Sequence, residues 1–174
     1  MEKKYDGFRA ILIVDQTQEL WTREHRKIEV PDNLRTQLLE LNLPKGTVLD
    51  GEIWTPTKRG SWRHNRTVQC HLTFWDVIRS GTQDMSRDPL EKRFEELIKL
   101  VAGRVPEIST VERFQASLDG YRRIVEEAKA FKASTRSRSG FIHGAVLKRR
   151  NSPRRDHSTR CIEHSDWMKL VVEL

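Results

Sequence analysis

Lys4-Tyr5-Asp6-Gly7-Phe8-Arg9, running straight into Ala10-Ile11-Leu12-Ile13-Val14, is the stretch from which the architecture is read. The apolar run is short, rich in β-branched residues and bounded by polar ones, the pattern of a strand. Asp6-Gly7 is a turn dipeptide, so the chain delivers Lys4 to a fixed place at the mouth of that strand. An amine held still beside such a turn suits a phosphate. Taken alone, the hexapeptide also reads as a surface lysine next to a hairpin, and its weight comes from segments further along.

Those segments sit in a mixed pattern. Phe8 to Val14 and Glu19 to Thr22 make a predicted hairpin across Asp15-Gln16-Thr17-Gln18. Asp32 is placed to cap a helix over Asn33 to Leu41, with Leu34, Leu38 and Leu41 on one face. Thr47 to Trp54 reads as a strand, Thr55 to Arg66 as a basic loop, and Val68 to Ile78 as a longer strand. Pro89 opens a helix that carries Leu90, Phe94, Leu97, Ile98 and Val101 to Gly103. A further helix is expected from Leu118 to Phe131 and a loop from Lys132 to Gly140. Phe141 to Arg149 and Trp167 to Val172 are the expected last strands, separated by a basic loop. The order does not alternate as βαβα. The expectation is one α+β domain over residues 1–174, with antiparallel sheets flanked by helices.

Apolar residues make up 36% and charged residues 33% of the chain, which fits a soluble globular protein with a real core. No apolar run approaches the ~20 residues that span a bilayer, and no secretory signal is present. Cys70 and Cys161 are too far apart for a short-spaced zinc pair. An intracellular setting (cytoplasm, nucleoid or viral) with no membrane partner is expected. The net charge of +7 is segregated: Lys132 to Arg160 holds nine Lys and Arg against one acid, Asp156. Within it Arg136, Arg138, Arg149, Arg150, Arg154 and Arg155 are candidate nucleic-acid contacts. A second cluster, Lys58, Arg59, Arg63 and Arg66, contains no acid. Each cluster alone also reads as a solvated loop, but segregated charge of this size suits a polyanion.

Four more segments carry chemistry. Leu49-Asp50-Gly51-Glu52 places two carboxylates two residues apart, and Phe74-Trp75-Asp76 sets two aromatics before an acid. His143-Gly144-Ala145-Val146-Leu147-Lys148 ends a strand with a lysine, and Trp167-Met168-Lys169-Leu170 puts another among apolar neighbours, where an idle charge is costly. Singly they read as turn acids, core aromatics and strand-edge lysines.

Together, in this order, they resemble the covalent nucleotidyltransferase superfamily of polynucleotide ligases and mRNA-capping enzymes. The resemblance is closest to the adenylation domain of ATP-dependent DNA ligases, and it runs from residue 2 to residue 171. E-x-K-x-D-G-x-R fits Glu2 to Arg9, and Arg23 fits the next family arginine. L-D-G-E fits Leu49 to Glu52, and the aromatic-Asp pair fits Trp75-Asp76. P-L-x-x-R fits Pro89 to Arg93, G-x-V-x-K fits Gly144 to Lys148, and W-x-K fits Trp167 to Lys169.

The resemblance implies the ligase adenylation fold (ATP-grasp-like), ATP as nucleotide, Mg²⁺ or Mn²⁺ as metal, and nicked duplex DNA as partner, in replication or repair. Lys4 would attack the α-phosphorus of ATP, expel pyrophosphate and become lysyl-AMP. Attack needs the neutral amine, a form that neighbouring cations favour. Lys148 and Lys169 would neutralise the α-phosphate oxygens. Arg9 and Arg23 would contact the nucleotide, Glu52 the ribose or metal, and Glu2 the adenine. An aromatic stacks on the base in the family. Strand alternation sends Phe74 and Trp75 to opposite faces, which assigns Trp75 to the base and Phe74 to the core. AMP would then pass to a 5′-phosphate at the nick.

Three departures qualify these implications. His143 stands where the family has a metal-binding glutamate, which points to a weakened metal site or to Mn²⁺. Val171 replaces the second lysine of a K-x-K ending. The sequence stops before the family's OB-fold domain, which leaves open an OB-fold domain of a longer chain or an OB-fold partner in trans. A catalytically impaired ligase-like binding protein is the alternative, with an RNA ligase or capping-type enzyme the next.

Overall fold

The structure, a computed structural model, describes residues 1–56, 63, 68–135, 142–147 and 160–163. In chain order its elements are β1 (Glu2–Tyr5), β2 (Phe8–Val14), β3 (Gln18–Trp21), β4 (Lys27–Ile28), α1 (Asp32–Glu40), β5 (Val48–Trp54) and β6 (His71–Ser80). There follow β7 (Gln83–Asp84), α2 (Leu90–Val101), β8 (Ile108–Thr110), α3 (Leu118–Thr135), β9 (Ile142–Leu147) and β10 (Arg160–Glu163).

Two sheets result. The larger runs β4-β3-β2-β5-β6-β7, with β8 also paired to β6; the smaller is β1-β9-β10. All pairings are antiparallel except β8 with β6. The expected α+β class with antiparallel sheets holds, with that one parallel pair as the exception.

Period-two alternation decides what each face of the large sheet does. Ala10, Leu12, Leu49, Ile53, Leu72 and Phe74 are all fully buried. They join Leu34 and Leu38 of α1 and Leu97 and Val101 of α2 in one core. Burying each such Leu or Phe removes enough apolar surface to stabilise the fold by roughly 1.5–3 kcal/mol. The alternate positions cannot enter that core. Arg9 lies directly across from Glu52, and Ile11 across from Asp50, so the polar groups of two motifs collect on the opposite face. A smaller cluster, Tyr121, Ile124 and Ala145, packs α3 onto β9.

Several boundaries differ from the sequence expectations. Asp32 is the first residue of α1 and not its cap; Pro31 takes that position at φ −57°, ψ 147°, without a side-chain cap bond. The Pro31 carbonyl accepts the Leu34 and Arg35 N–H groups, so the fixed proline φ starts the helix one residue early. Arg160–Glu163, read as part of a basic loop, is a strand paired to β9, with Ile162 opposite Ala145. The expected strand Trp167 to Val172 lies outside the described residues.

Candidate active site

Strand β1 carries two adjacent lysines, and the structure separates their roles. Lys3 is 11% exposed and ion-paired to both Glu112 (2.5 Å) and Glu127. Its ammonium also lies 5.5 Å from the centre of the Phe114 ring. Burial alone would lower its pKa, but the hydrogen bonds it donates to Glu112 and Glu127 outweigh that and hold it above the ordinary lysine value. A protonated, doubly paired amine has no lone pair to give. Lys4 falls on the other face of the strand, is half-buried, and has no carboxylate partner among the described residues. It lies opposite Gly144 of β9, and the register then slips so that Tyr5 faces Ile142. His143 is therefore the extra residue of a β-bulge directly beside Lys4, a device that re-aims side chains.

Gly7 ties this strand to the large sheet. Its N–H donates to Glu52 Oε1 at 2.5 Å. A Cβ at this position would lie 2.3 Å from the Ile53 carbonyl oxygen and 2.9 Å from Trp54 Cβ, so only glycine permits the approach. Arg9 reaches diagonally along the polar face, where Nε and Nη2 donate to Asp50 Oδ1 and Oδ2 at 2.9 and 2.7 Å. The fork leaves Arg9 40% exposed over an Asp50 that is 3% exposed. Pairing with Asp50 raises the Arg9 pKa against the opposing effect of burial.

A second bidentate pair lies deeper. Arg93 Nε and Nη2 donate to Asp76 Oδ1 and Oδ2 at 2.7 and 3.0 Å. Arg93 Nη1 donates to the Asp88 carbonyl at 2.6 Å, and the Val77 N–H donates to Asp76 Oδ1. The P-L-x-x-R arginine and the acid after Trp75 thus serve each other. Asp50 faces Asp76 while Gly51 faces Phe74, which makes Trp75 the extra residue of another bulge. Phe74 is fully buried in the core, as expected, and Trp75 is half-buried.

Glu2 is buried at 4% exposure and accepts from Arg113 Nε at 3.0 Å. Arg113 packs its guanidinium 3.5 Å from the centre of the Phe94 ring, and burial lowers its pKa while Glu2 opposes the shift. In this state an arginine occupies the Glu2 carboxylate. Arg113, Glu112 and Glu127 carry no signal in the sequence, because each acts on a residue more than a hundred positions away. Asp50 was legible only as a member of L-D-G-E.

Arg23 is exposed in the turn between β3 and β4. Lys148, Lys169, Arg136, Arg138, Arg149, Arg150, Arg154 and Arg155 lie outside the described residues, and for His143 only the backbone position is described. Among the described residues no group of three His, Cys, Asp or Glu could hold a metal ion. No helix among them is long and apolar enough to cross a membrane. The structure thus shows an amine without a carboxylate partner among the described residues on β1, an arginine fork aimed by a buried acid on β2, and a half-buried tryptophan on β6.

No family model matches the chain. It is 24% identical, over 98% of its length, to the SPbeta prophage-derived DNA ligase-like protein LigB of Bacillus subtilis (strain 168), of which it covers 63%. The ligase domain of M. tuberculosis LigD superposes at a TM-score of 0.72, with 19% identity, 94% of this chain and 52% of that one covered. A mycobacterial DNA ligase D complexed with ATP and MES gives 0.70 at 18% identity, covering 93% of this chain and 53% of that one. The chain thus spans about half to two thirds of these relatives. Its fold is that of the nucleotidyltransferase domain of DNA ligases.

Proposed function

We propose that residues 1–174 form the nucleotidyltransferase domain of an ATP-dependent DNA ligase-type enzyme, with Lys4 as its nucleophile. The observation that carries this reading is the contrast on β1: Lys3 is locked between two glutamates, whereas Lys4 has no carboxylate partner among the described residues. The LigD neighbour that holds ATP supports the nucleotide, and the relatives named as DNA ligases support the substrate class.

In this reading the lone pair of Lys4 Nζ forms an N–P bond to the α-phosphorus of ATP. The Pα–O bond to pyrophosphate breaks, and the amine's surplus proton leaves to solvent. Arg9, aimed by Asp50, orients the ribose or phosphates, and Trp75 stacks on the base. Glu2, oriented by Arg113, lies at the adenine end. Glu52 fixes the Lys4 turn through Gly7 and contacts the ribose. Lys148 and Lys169 neutralise the α-phosphate, with Arg23 as a further contact. The lysyl-AMP phosphorus is then attacked by the 5′-phosphate of nicked DNA, which regenerates the amine. Arg136, Arg138, Arg149, Arg150, Arg154 and Arg155 grip the duplex through its phosphates.

Mg²⁺ or Mn²⁺ would join Glu52 and His143. The described residues do not by themselves fit a metal, since no three His, Cys, Asp or Glu among them converge on one point, and no step above is routed through one. A second reading, a ligase-like protein that binds nucleotide without completing the chemistry, is favoured by His143 at the family's acidic position. Incubation with α-labelled ATP and each metal separates the two. Protein-bound label that disappears in Lys4→Ala supports the enzyme; its absence in both metals supports the binder.

A further inference from the structure

Among the described residues three arginines pair with buried carboxylates, and one of these pairs is incomplete. Arg9 and Arg93 each donate from both Nε and Nη2 to the two oxygens of an aspartate. Arg113 donates from Nε to Glu2 at 3.0 Å, yet its Nη2 is buried with no hydrogen-bond partner among the described residues. A buried donor left without an acceptor costs its full desolvation, and a charged one costs most. Such a group is rare in a native fold and marks a place where something beyond the protein completes the bond.

Arg113 has little freedom to find a partner by moving. Its guanidinium carbon lies 3.5 Å from the centre of the Phe94 ring, a stack that fixes the plane of the fork. Its backbone is tied on both sides. The Phe114 N–H donates to the Met1 carbonyl at 2.8 Å, and the Met1 ammonium donates to the Phe114 carbonyl at 2.7 Å. The Val111 N–H donates to the Phe74 carbonyl at 2.7 Å. The segment that carries Arg113 therefore reaches from the residue before Glu2 to the residue before Trp75. Those are the two side chains assigned above to the edge and the face of the base. Glu2 also shares a face of β1 with Lys4, two positions on.

We propose that Arg113, which belongs to none of the sequence motifs, determines base specificity: its Nη2 donates to a ring nitrogen of adenine beside the 6-amino group, N1 or N7. The Glu2 carboxylate that it holds accepts from that amino group. The inference rests on the nucleotidyltransferase reading above and adds a donor to it. Adenine presents an amine and a ring acceptor side by side, which matches a carboxylate and a guanidinium held together. A carboxylate has about four acceptor positions, so Arg113 Nε and the adenine amine can share Glu2. No proton moves in this recognition, and no covalent bond changes.

The test is calorimetric titration of the full chain with ATP, 1-deaza-ATP, 7-deaza-ATP and GTP, in EDTA so that binding is read without covalent chemistry. One of the two deaza analogues binds about 10- to 100-fold more weakly than ATP, the range for one hydrogen bond from a charged donor. GTP also binds more weakly. In Arg113→Met the difference between ATP and that analogue disappears. A merely structural role would not produce this, because lost packing weakens every nucleotide alike. Should Arg113→Met fail to fold, Arg113→Met combined with Glu2→Gln leaves no buried charge uncompensated and gives the same comparison. Equal affinity of the parent for ATP and both deaza analogues overturns the proposal, as does a difference that survives Arg113→Met. So does tighter binding of GTP, whose O6 and N7 are the acceptors that an arginine by itself favours. A chain with this base preference that never takes up label from α-labelled ATP fails the ligase reading alone. One that takes up the label yet ignores the base edge fails this inference alone, and absence of nucleotide binding with and without Mg²⁺ overturns both.

Discussion

Replacing Arg93 by methionine removes one partner of the buried pair that anchors the Trp75 bulge. The arginine side chain is 2% exposed and the aspartate 9%. Two donors to Asp76 and one to the Asp88 carbonyl disappear together. Methionine fills much of the volume, so the principal loss is electrostatic: Asp76 stays buried, still accepting from the Val77 N–H but without its counter-charge. Breaking a buried pair from one side costs about 3–5 kcal/mol. For a chain of this size each kcal/mol moves the melting temperature by roughly 2–4 °C, which gives a fall of about 6–20 °C. Urea denaturation checks the free energy directly, with an unchanged m-value showing that the unfolded state is the same. Asp76→Leu combined with Arg93→Met is expected to be more stable than Arg93→Met alone, because no buried charge is left uncompensated. A single variant within about 1 kcal/mol of the parent, or a double variant with simply additive losses, refutes the reasoning.

Further outcomes follow from the same geometry. Gly7→Ala drives a methyl into the Ile53 carbonyl and should lower both the melting temperature and the yield of adenylated protein, measured on the folded fraction. Lys3→Met should destabilise by about 1–2 kcal/mol near neutral pH, a discounted figure because both glutamates are half-exposed. Because the Lys3 pKa is raised in the fold, its contribution is complete below the ordinary lysine value of about 10.4 and fades as pH rises through the higher folded value. Melting curves of parent and variant should therefore converge only in strong alkali. Burial pushes the Cys70 thiol up to about 12, so alkylation at pH 8 with peptide mapping should leave Cys70 unmodified in the native protein and labelled after unfolding.

Strands β2, β5 and β6 were legible in the sequence because apolar side chains alternate along them and the core takes one face. Strand β1 was not: Glu2-Lys3-Lys4-Tyr5 has no apolar period, and it is a strand because β9 and the segment around Arg113 pair with it. The same holds for Arg160–Glu163, whose pairing to β9 is tertiary. At the candidate site, motif spacing singled out Lys4, Arg9, Glu52 and Trp75, since short-range spacing can be read along the chain. It could not show that Asp50 aims Arg9, that Arg113 holds Glu2, or that Lys3 is consumed by Glu112 and Glu127. Those pairings depend on register and on contacts across 41 to 124 positions. The bulges at Trp75 and His143 leave no mark in composition, because each is one residue inserted into an otherwise ordinary ladder.

Which of the two neighbouring amines becomes bonded to phosphorus is read most directly by mass. The purified protein is incubated with ATP and Mg²⁺ or Mn²⁺, its intact mass is recorded, and the modified peptide is fragmented. One added adenylate, located on Lys4 and lost in Lys4→Ala, is the predicted result. An adenylate on Lys3, or none with either metal, contradicts the account.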